Sequence, residues 1–82
     1  MIPRIQTFQP LDNYQLFVRF DDGREVHYDV AEDISTIPAF HALKTELGLF
    51  KNAQLDSSRT CLYWSDTIDL PSDTIYEYGV TI

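Results

Sequence analysis

Between Tyr14 and Phe20 apolar and polar side chains alternate, so that Tyr14, Leu16, Val18 and Phe20 share one face of an extended chain and Gln15, Phe17 and Arg19 the other. This is the clearest strand signal in the chain. The next three residues, Asp21-Asp22-Gly23, supply turn chemistry, with a glycine able to take left-handed backbone. The chain from Arg24 to Tyr28 then returns with Val26 and Tyr28 inward, which predicts a β-hairpin. Ahead of it, Arg4 to Gln9 reads as a short strand closed by Pro10, which has no N–H to give to a ladder, and Leu11-Asp12-Asn13 as a turn.

Beyond Tyr28 the period changes. Asp29 and Glu32 stand at capping-box spacing, predicting one helical turn over Val30 to Ile34. Pro38 suits the first position of a second helix, and Phe40, Leu43 and Leu47 recur at helical spacing along Ala39 to Leu47, with Gly48 as the stop. Leu49-Phe50 then reads as an anchor onto the sheet. Ala53 to Leu55 and Thr60 to Trp64 are expected to form a second hairpin around the polar turn Asp56 to Arg59. Ser65 to Leu70 reads as an irregular or short extended piece, and Pro71 to Tyr78 as a last short helix stopped by Gly79. Val80-Thr81-Ile82 is a tail able to serve as a short edge strand. The sum is an α+β fold: a small antiparallel sheet of about four to five strands, opened by the N-terminal hairpin, with two or three short helices packed on it.

Composition narrows the choice of function. At 82 residues the chain is expected to be a single domain over residues 1–82, because a second core becomes the rule only beyond roughly 200 residues. Five Phe, five Tyr and one Trp supply large side chains for a small core and argue against disorder. Thirteen acidic residues against six basic ones give a net charge of −7, and the basic ones are scattered as Arg4, Arg19, Arg24, Lys44, Lys51 and Arg59. With no basic stripe, the field opposes direct contact with nucleic-acid phosphates. No apolar run approaches the ~20 residues that span a bilayer, and Met1-Ile2-Pro3-Arg4 has no apolar signal core. A cytoplasmic protein without membrane contact is therefore expected. The single cysteine, Cys61, lies in the run Cys61-Leu62-Tyr63 and reads as a small buried hydrophobe.

Little catalytic chemistry is visible. Asp66, Asp69 and Asp73 gather around the end of the Trp64 strand and the start of the last helix, where they could hold a divalent cation or serve as acid and base. The simpler reading gives Asp69 and Asp73 the free N–H groups of a helix start and leaves Asp66 in a solvated turn. His27 and His41 are the only histidines, too few with Cys61 for a zinc site at any recognised spacing. Gly23, Gly48 and Gly79 stand singly at turns and helix stops, so there is no phosphate-cradling loop. Neither a metal nor another cofactor is expected.

Three stretches together resemble a small bacterial family known as domain of unknown function 2442. The first is Gln9-Pro10-Leu11, a strand ending Phe20-Asp21-Asp22-Gly23, and the pair Asp29-Val30; the second is Phe40 and Leu43 leading to Leu49-Phe50. The third is the strand ending in Trp64, then Asp69-Leu70 and Ile75-Tyr76-Glu77. The likeness runs from Pro3 to Tyr78. It departs at Ser65-Asp66-Thr67-Ile68, where relatives often have a Gly or Asn-Gly turn, and at Pro71-Ser72, where they tend to have the reverse order. The resemblance implies an α+β domain of unassigned biochemistry, commonly encoded beside another small protein.

The residues themselves point to binding rather than catalysis. Phe17 faces away from the buried side of its strand, and an aromatic there calls for a partner or a second layer. The expected interaction surface is Phe17, Arg19, Tyr63, Trp64, Asp69 and Tyr76, occupied by another protein or by a second copy of the chain as a homodimer. The leading expectation is a non-catalytic, acidic protein-interaction or regulatory module. Its alternatives are an acidic neutralising partner in a two-gene, toxin–antitoxin-like cassette, and a small metal-dependent enzyme using Asp66, Asp69 and Asp73, with His27 in support.

Overall fold

The computed structural model describes residues 2–82. The alternating stretch forms strand β2 (Gln15–Phe20), which pairs antiparallel with β3 (Glu25–Asp29), Leu16 opposite Tyr28 and Val18 opposite Val26. Leu16, Val18, Phe20, Val26 and Tyr28 are all buried. In the turn between them the Phe20 N–H donates to the Arg24 carbonyl, and Gly23 takes φ +91°, backbone that a side chain would strain. On the other side of β2 runs β1 (Ile5–Leu11), and here Pro10 does not end the strand but lies within it, opposite Leu16. An edge strand is bonded on one side only, so half of its N–H groups have no partner to lose. Tyr14 also departs from expectation. It sits in a 3₁₀ turn, Asp12–Tyr14, where Asn13 (φ 61°) and Tyr14 (φ 59°) are both left-handed, and its ring packs edge-on against Phe50 at 5.4 Å.

Helix α1 (Val30–Thr36) starts as its sequence predicts, with the Asp29 carboxylate accepting the Ala31 N–H at 2.9 Å. It runs beyond the expected Ile34 to Thr36 and closes with the Ile37 N–H on the Asp33 carbonyl, while the Ser35 and Thr36 hydroxyls donate to that of Glu32. A 3₁₀ turn, Pro38–His41, then merges into α2 (Ala42–Thr45), burying Phe40 and Leu43. This helical run stops at Thr45, short of Leu47. Glu46 is extended and the Leu49 N–H donates to its carbonyl across a turn whose third residue, Gly48, has φ +78°. Leu47 at the tip of that turn is fully exposed. The turn brings Phe50 into the core, stacked on Trp64 at 5.9 Å between ring centroids, and the larger ring displaces Leu47 as the buried anchor.

A second sheet follows where a single one was expected. After a 3₁₀ turn at Phe50–Asn52, β4 (Gln54–Leu55) pairs with β5 (Cys61–Ser65), and β5 with β6 (Ile68–Pro71). The segment read as irregular is thus a hairpin strand, with Leu70 opposite Leu62. Helix α3 (Ser72–Tyr78) follows, and the tail forms β7 (Val80–Thr81), which pairs with β3. The strand orders are β1-β2-β3-β7 and β4-β5-β6, an α+β fold in two small antiparallel sheets. Their apolar faces and the helices share one core, to which the second sheet contributes Leu62, Trp64, Ile68 and Leu70.

The sheets meet at a corner held by polar contacts. The Ile5 N–H donates to the Arg59 carbonyl and the Ser72 N–H to that of Thr60, each at 2.8 Å. Ser72 is fully buried, and its hydroxyl does not cap α3 but donates to the Pro3 carbonyl at 2.6 Å. The reversed order Pro71-Ser72 therefore gives the serine a tertiary bond instead of a cap. Among the described residues no helix is long and apolar enough to cross a membrane.

Candidate interaction surface

The residues expected to form one surface lie in four places. Trp64 is not on the surface: it is only 8 % exposed, its ring lies against Phe40 and Phe50, and its indole N–H donates to the Phe50 carbonyl at 2.9 Å. The alternation in β5 that buries Leu62 also buries Trp64, leaving Tyr63 outside. Tyr63 and Asp69 stand opposite each other on the exposed face of the three-stranded sheet. Tyr76 belongs to a network at the tip of the first hairpin. Its hydroxyl donates to Asp22 at 2.6 Å, its ring packs edge-on against Phe20, and the Arg24 guanidinium lies over it at 4.6 Å. These contacts hold the Asp22 carboxyl below its usual range and raise the Tyr76 phenol, chiefly through the bond they share. Nearby, Arg59 grips both carboxylate oxygens of Asp21 at 2.8 and 2.9 Å, holding that carboxyl low as well. This network fastens the hairpin tip to α3 and to the β4–β5 turn.

Phe17 and Arg19 lie on the outer face of the four-stranded sheet, the face turned away from the core. Across that face the register sets Gln9, Phe17, His27 and Val80 in one row. Phe17 and His27 meet edge to face at 6.2 Å, while Arg19 is spent on its cross-strand neighbour, Nε donating to Glu25 at 2.8 Å. Val80 and Tyr78 are exposed to 72 % and 71 %. On this face Gln9, Arg19, His27 and Val80 are exposed and Phe17 is half-buried, whereas Leu16, Val18, Val26 and Tyr28, which alternate with them, are in the core. Beside the row, where β7 stops and β3 continues to Asp29, the sheet edge opens into a notch of about 730 Å³ between α1 and α3. Its walls carry Asp29, Glu32 and Asp33 together with His27, Tyr78 and Val80, and no Lys or Arg. Asp29 is engaged in capping α1 and Asp33 accepts the Tyr28 hydroxyl at 2.6 Å. The Tyr28 phenol is raised by burial and by that bond. The arrangement offers apolar contact across the row and a strongly negative pocket at its end.

The remaining candidates do not assemble. Asp66 is in the β5–β6 turn, Asp69 on β6 and Asp73 in the first turn of α3, where its carboxylate takes the Thr74 N–H. Among the described residues no three His, Cys, Asp or Glu side chains come together as metal ligands. His27 and His41 are on separate elements, β3 and the Pro38–His41 turn. Burial pushes the Cys61 thiol up, with Asp69 and Asp56 adding to the effect, which keeps it protonated and a poor nucleophile.

None of Glu32, Asp33, Tyr78 and Val80 stands out in the sequence as a binding residue; Glu32 reads there only as a capping partner and Val80 only as part of the tail. They come from three elements that only the tertiary fold brings together; the one local trace is the apolar spacing Tyr78, Val80, Ile82 after Gly79. Among curated proteins and among solved structures none matches the chain. A family model described as protein of unknown function (DUF2442) matches residues 5–81, so that both sheets and all three helices fall within it, and the chain belongs to the DUF2442 family.

Proposed function

We propose that this chain is a non-catalytic interaction module that docks a basic protein on the outer face of the four-stranded sheet. The observation that carries the reading is the row Phe17, His27 and Val80 ending in a notch with three carboxylates and no Lys or Arg. Phe17 and Val80 supply apolar area that is buried on binding, and the solvent-facing carboxylates beside them select a Lys or Arg of the partner. The net charge of −7 adds long-range attraction for the same class of partner. The exposed face of the other sheet carries Tyr63 opposite Asp69, without a neighbouring aromatic on β4 or β6.

The test is affinity capture from the native cell with Phe17→Ala and Glu32→Lys variants beside the unchanged protein. A single basic protein held by the unchanged chain and lost with both variants supports the proposal, provided its association slows steeply with added salt. Capture that survives both substitutions, or that ignores salt, contradicts it.

A further inference from the structure

A second concave site lies on another side of α1. Residues Ala31, Ile34 and Ser35 share one face of that helix by their three- and four-residue spacing, while Asp33 is directed to Tyr28. Against that face the Pro38–Thr45 run sets His41, Lys44 and Thr45, and the left-handed Asn13-Tyr14 pair closes one end with the Tyr14 ring. The pocket is open to solvent on one side and has a volume of about 460 Å³. Two of its hydroxyls are already committed, Ser35 to the Glu32 carbonyl and Thr45 to that of His41. The Tyr14 hydroxyl, the His41 ring and the Lys44 ammonium make no hydrogen bond to another described residue, so three uncommitted polar side chains line the pocket together with the apolar Ala31 and Ile34. No carboxylate lines this pocket, in a chain with thirteen of them. Lys44 also borders a neighbouring cleft containing Asp12 and Glu46, but Asp12 is paired there with Lys51 at 3.3 Å.

Left-handed backbone at two successive residues with side chains is unfavourable, and such strain persists where the surrounding structure holds it. Here it carries Tyr14 out of β2 and against Phe50, where the residue lines the pocket. We propose that this pocket binds a small anion with an apolar body, of the class of short-chain carboxylates. The carboxylate accepts from Lys44, His41 and Tyr14, and the hydrocarbon lies on Ala31 and Ile34. This site is separate from the docking face and does not depend on it.

The experiment is a titration of ¹⁵N-labelled protein with hexanoate, with acetate and hexylamine as controls, read by amide shifts. Saturable shifts confined to the pocket's residues are expected with hexanoate, far weaker ones with acetate, and none there with hexylamine. The Lys44→Glu variant, altered at an exposed side chain, should keep the unchanged protein's spectrum away from the substituted turn and bind hexanoate several-fold more weakly. Tyr14→Phe, which retains the ring packed on Phe50, should weaken it less. Shifts that fail to saturate, that fall elsewhere, that hexylamine reproduces, or that persist in full in Lys44→Glu overturn the proposal.

Discussion

Replacing Trp64 by Phe tests whether the one tryptophan is a core residue or a surface one. The substitution removes the indole N–H that donates to the Phe50 carbonyl in a buried bond of 2.9 Å. A buried acceptor left without its donor costs about 1–3 kcal/mol. The smaller ring also loosens the stack on Phe50 and the contact with Phe40, for about another 0.5–1.5 kcal/mol. Together these make about 2–4 kcal/mol, against a total stability of about 4–12 kcal/mol for a domain of this size. The assay is urea unfolding followed by far-ultraviolet circular dichroism, which does not depend on the residue removed. The midpoint should fall by about 1–3 M with little change in slope. The control is Tyr63→Ala, one residue away on the outside of the same strand and 40 % exposed, which should stay within about 0.5 kcal/mol of the unchanged protein. A Trp64→Phe midpoint as little changed as that of Tyr63→Ala would refute the burial argument.

Further expectations rest on other elements. At Gly79 the backbone angles suit any residue (φ −68°), yet an added Cβ would lie 2.6 Å from the Ile75 carbonyl oxygen and 2.8 Å from Val26 Cγ2. Gly79→Ala should therefore destabilise by about 1–3 kcal/mol in thermal unfolding, and an unchanged melting temperature would show that α3 and β3 are less closely packed. Leu43→Ala should cost about 2–5 kcal/mol, whereas Leu47→Ser should cost less than about 0.5 kcal/mol; similar losses would place Leu47 back in a helix face. Acid stability follows from the lowered carboxyls of Asp21, held by Arg59, Asp22, held by Tyr76, and Asp56, held by Ser58. A folded value below the ordinary 3.8 means stabilisation that is present above that value and lost as pH falls through it toward the folded values. The melting temperature should be level from about pH 7 to 5 and drop below about pH 4, with a shallower drop in Asp21→Asn; the same drop in that variant would remove Asp21 from the explanation.

What could be read from the sequence was local. The β2–β3 hairpin rests on alternation and a glycine turn within fifteen residues, Tyr14 to Tyr28, and the start of α1 on one carboxylate and the N–H two residues on. Where distant parts compete, local signals mislead. Leu47 continues a helical spacing, but Phe50 has the stronger claim on Trp64 and the chain turns early to deliver it. Pro10 ends strands in general and is harmless here because β1 is at an edge, a fact of topology. The Trp64 error was avoidable, since period two in Cys61–Ser65 separates it from Tyr63. For the docking face, Phe17 was legible as an outward aromatic. The notch was not, because it exists only where β7 returns to β3 between α1 and α3.

The most direct measurement is site-specific photo-crosslinking in the native cell, with a photoreactive residue placed at His27 in one variant and at Tyr63 in another. Both positions are exposed, one on the outer face of the four-stranded sheet and one on that of the three-stranded sheet. A discrete adduct with one basic protein from position 27, absent from position 63, is the predicted result. No adduct from position 27, or the same adducts from both, would contradict the assignment of the docking face.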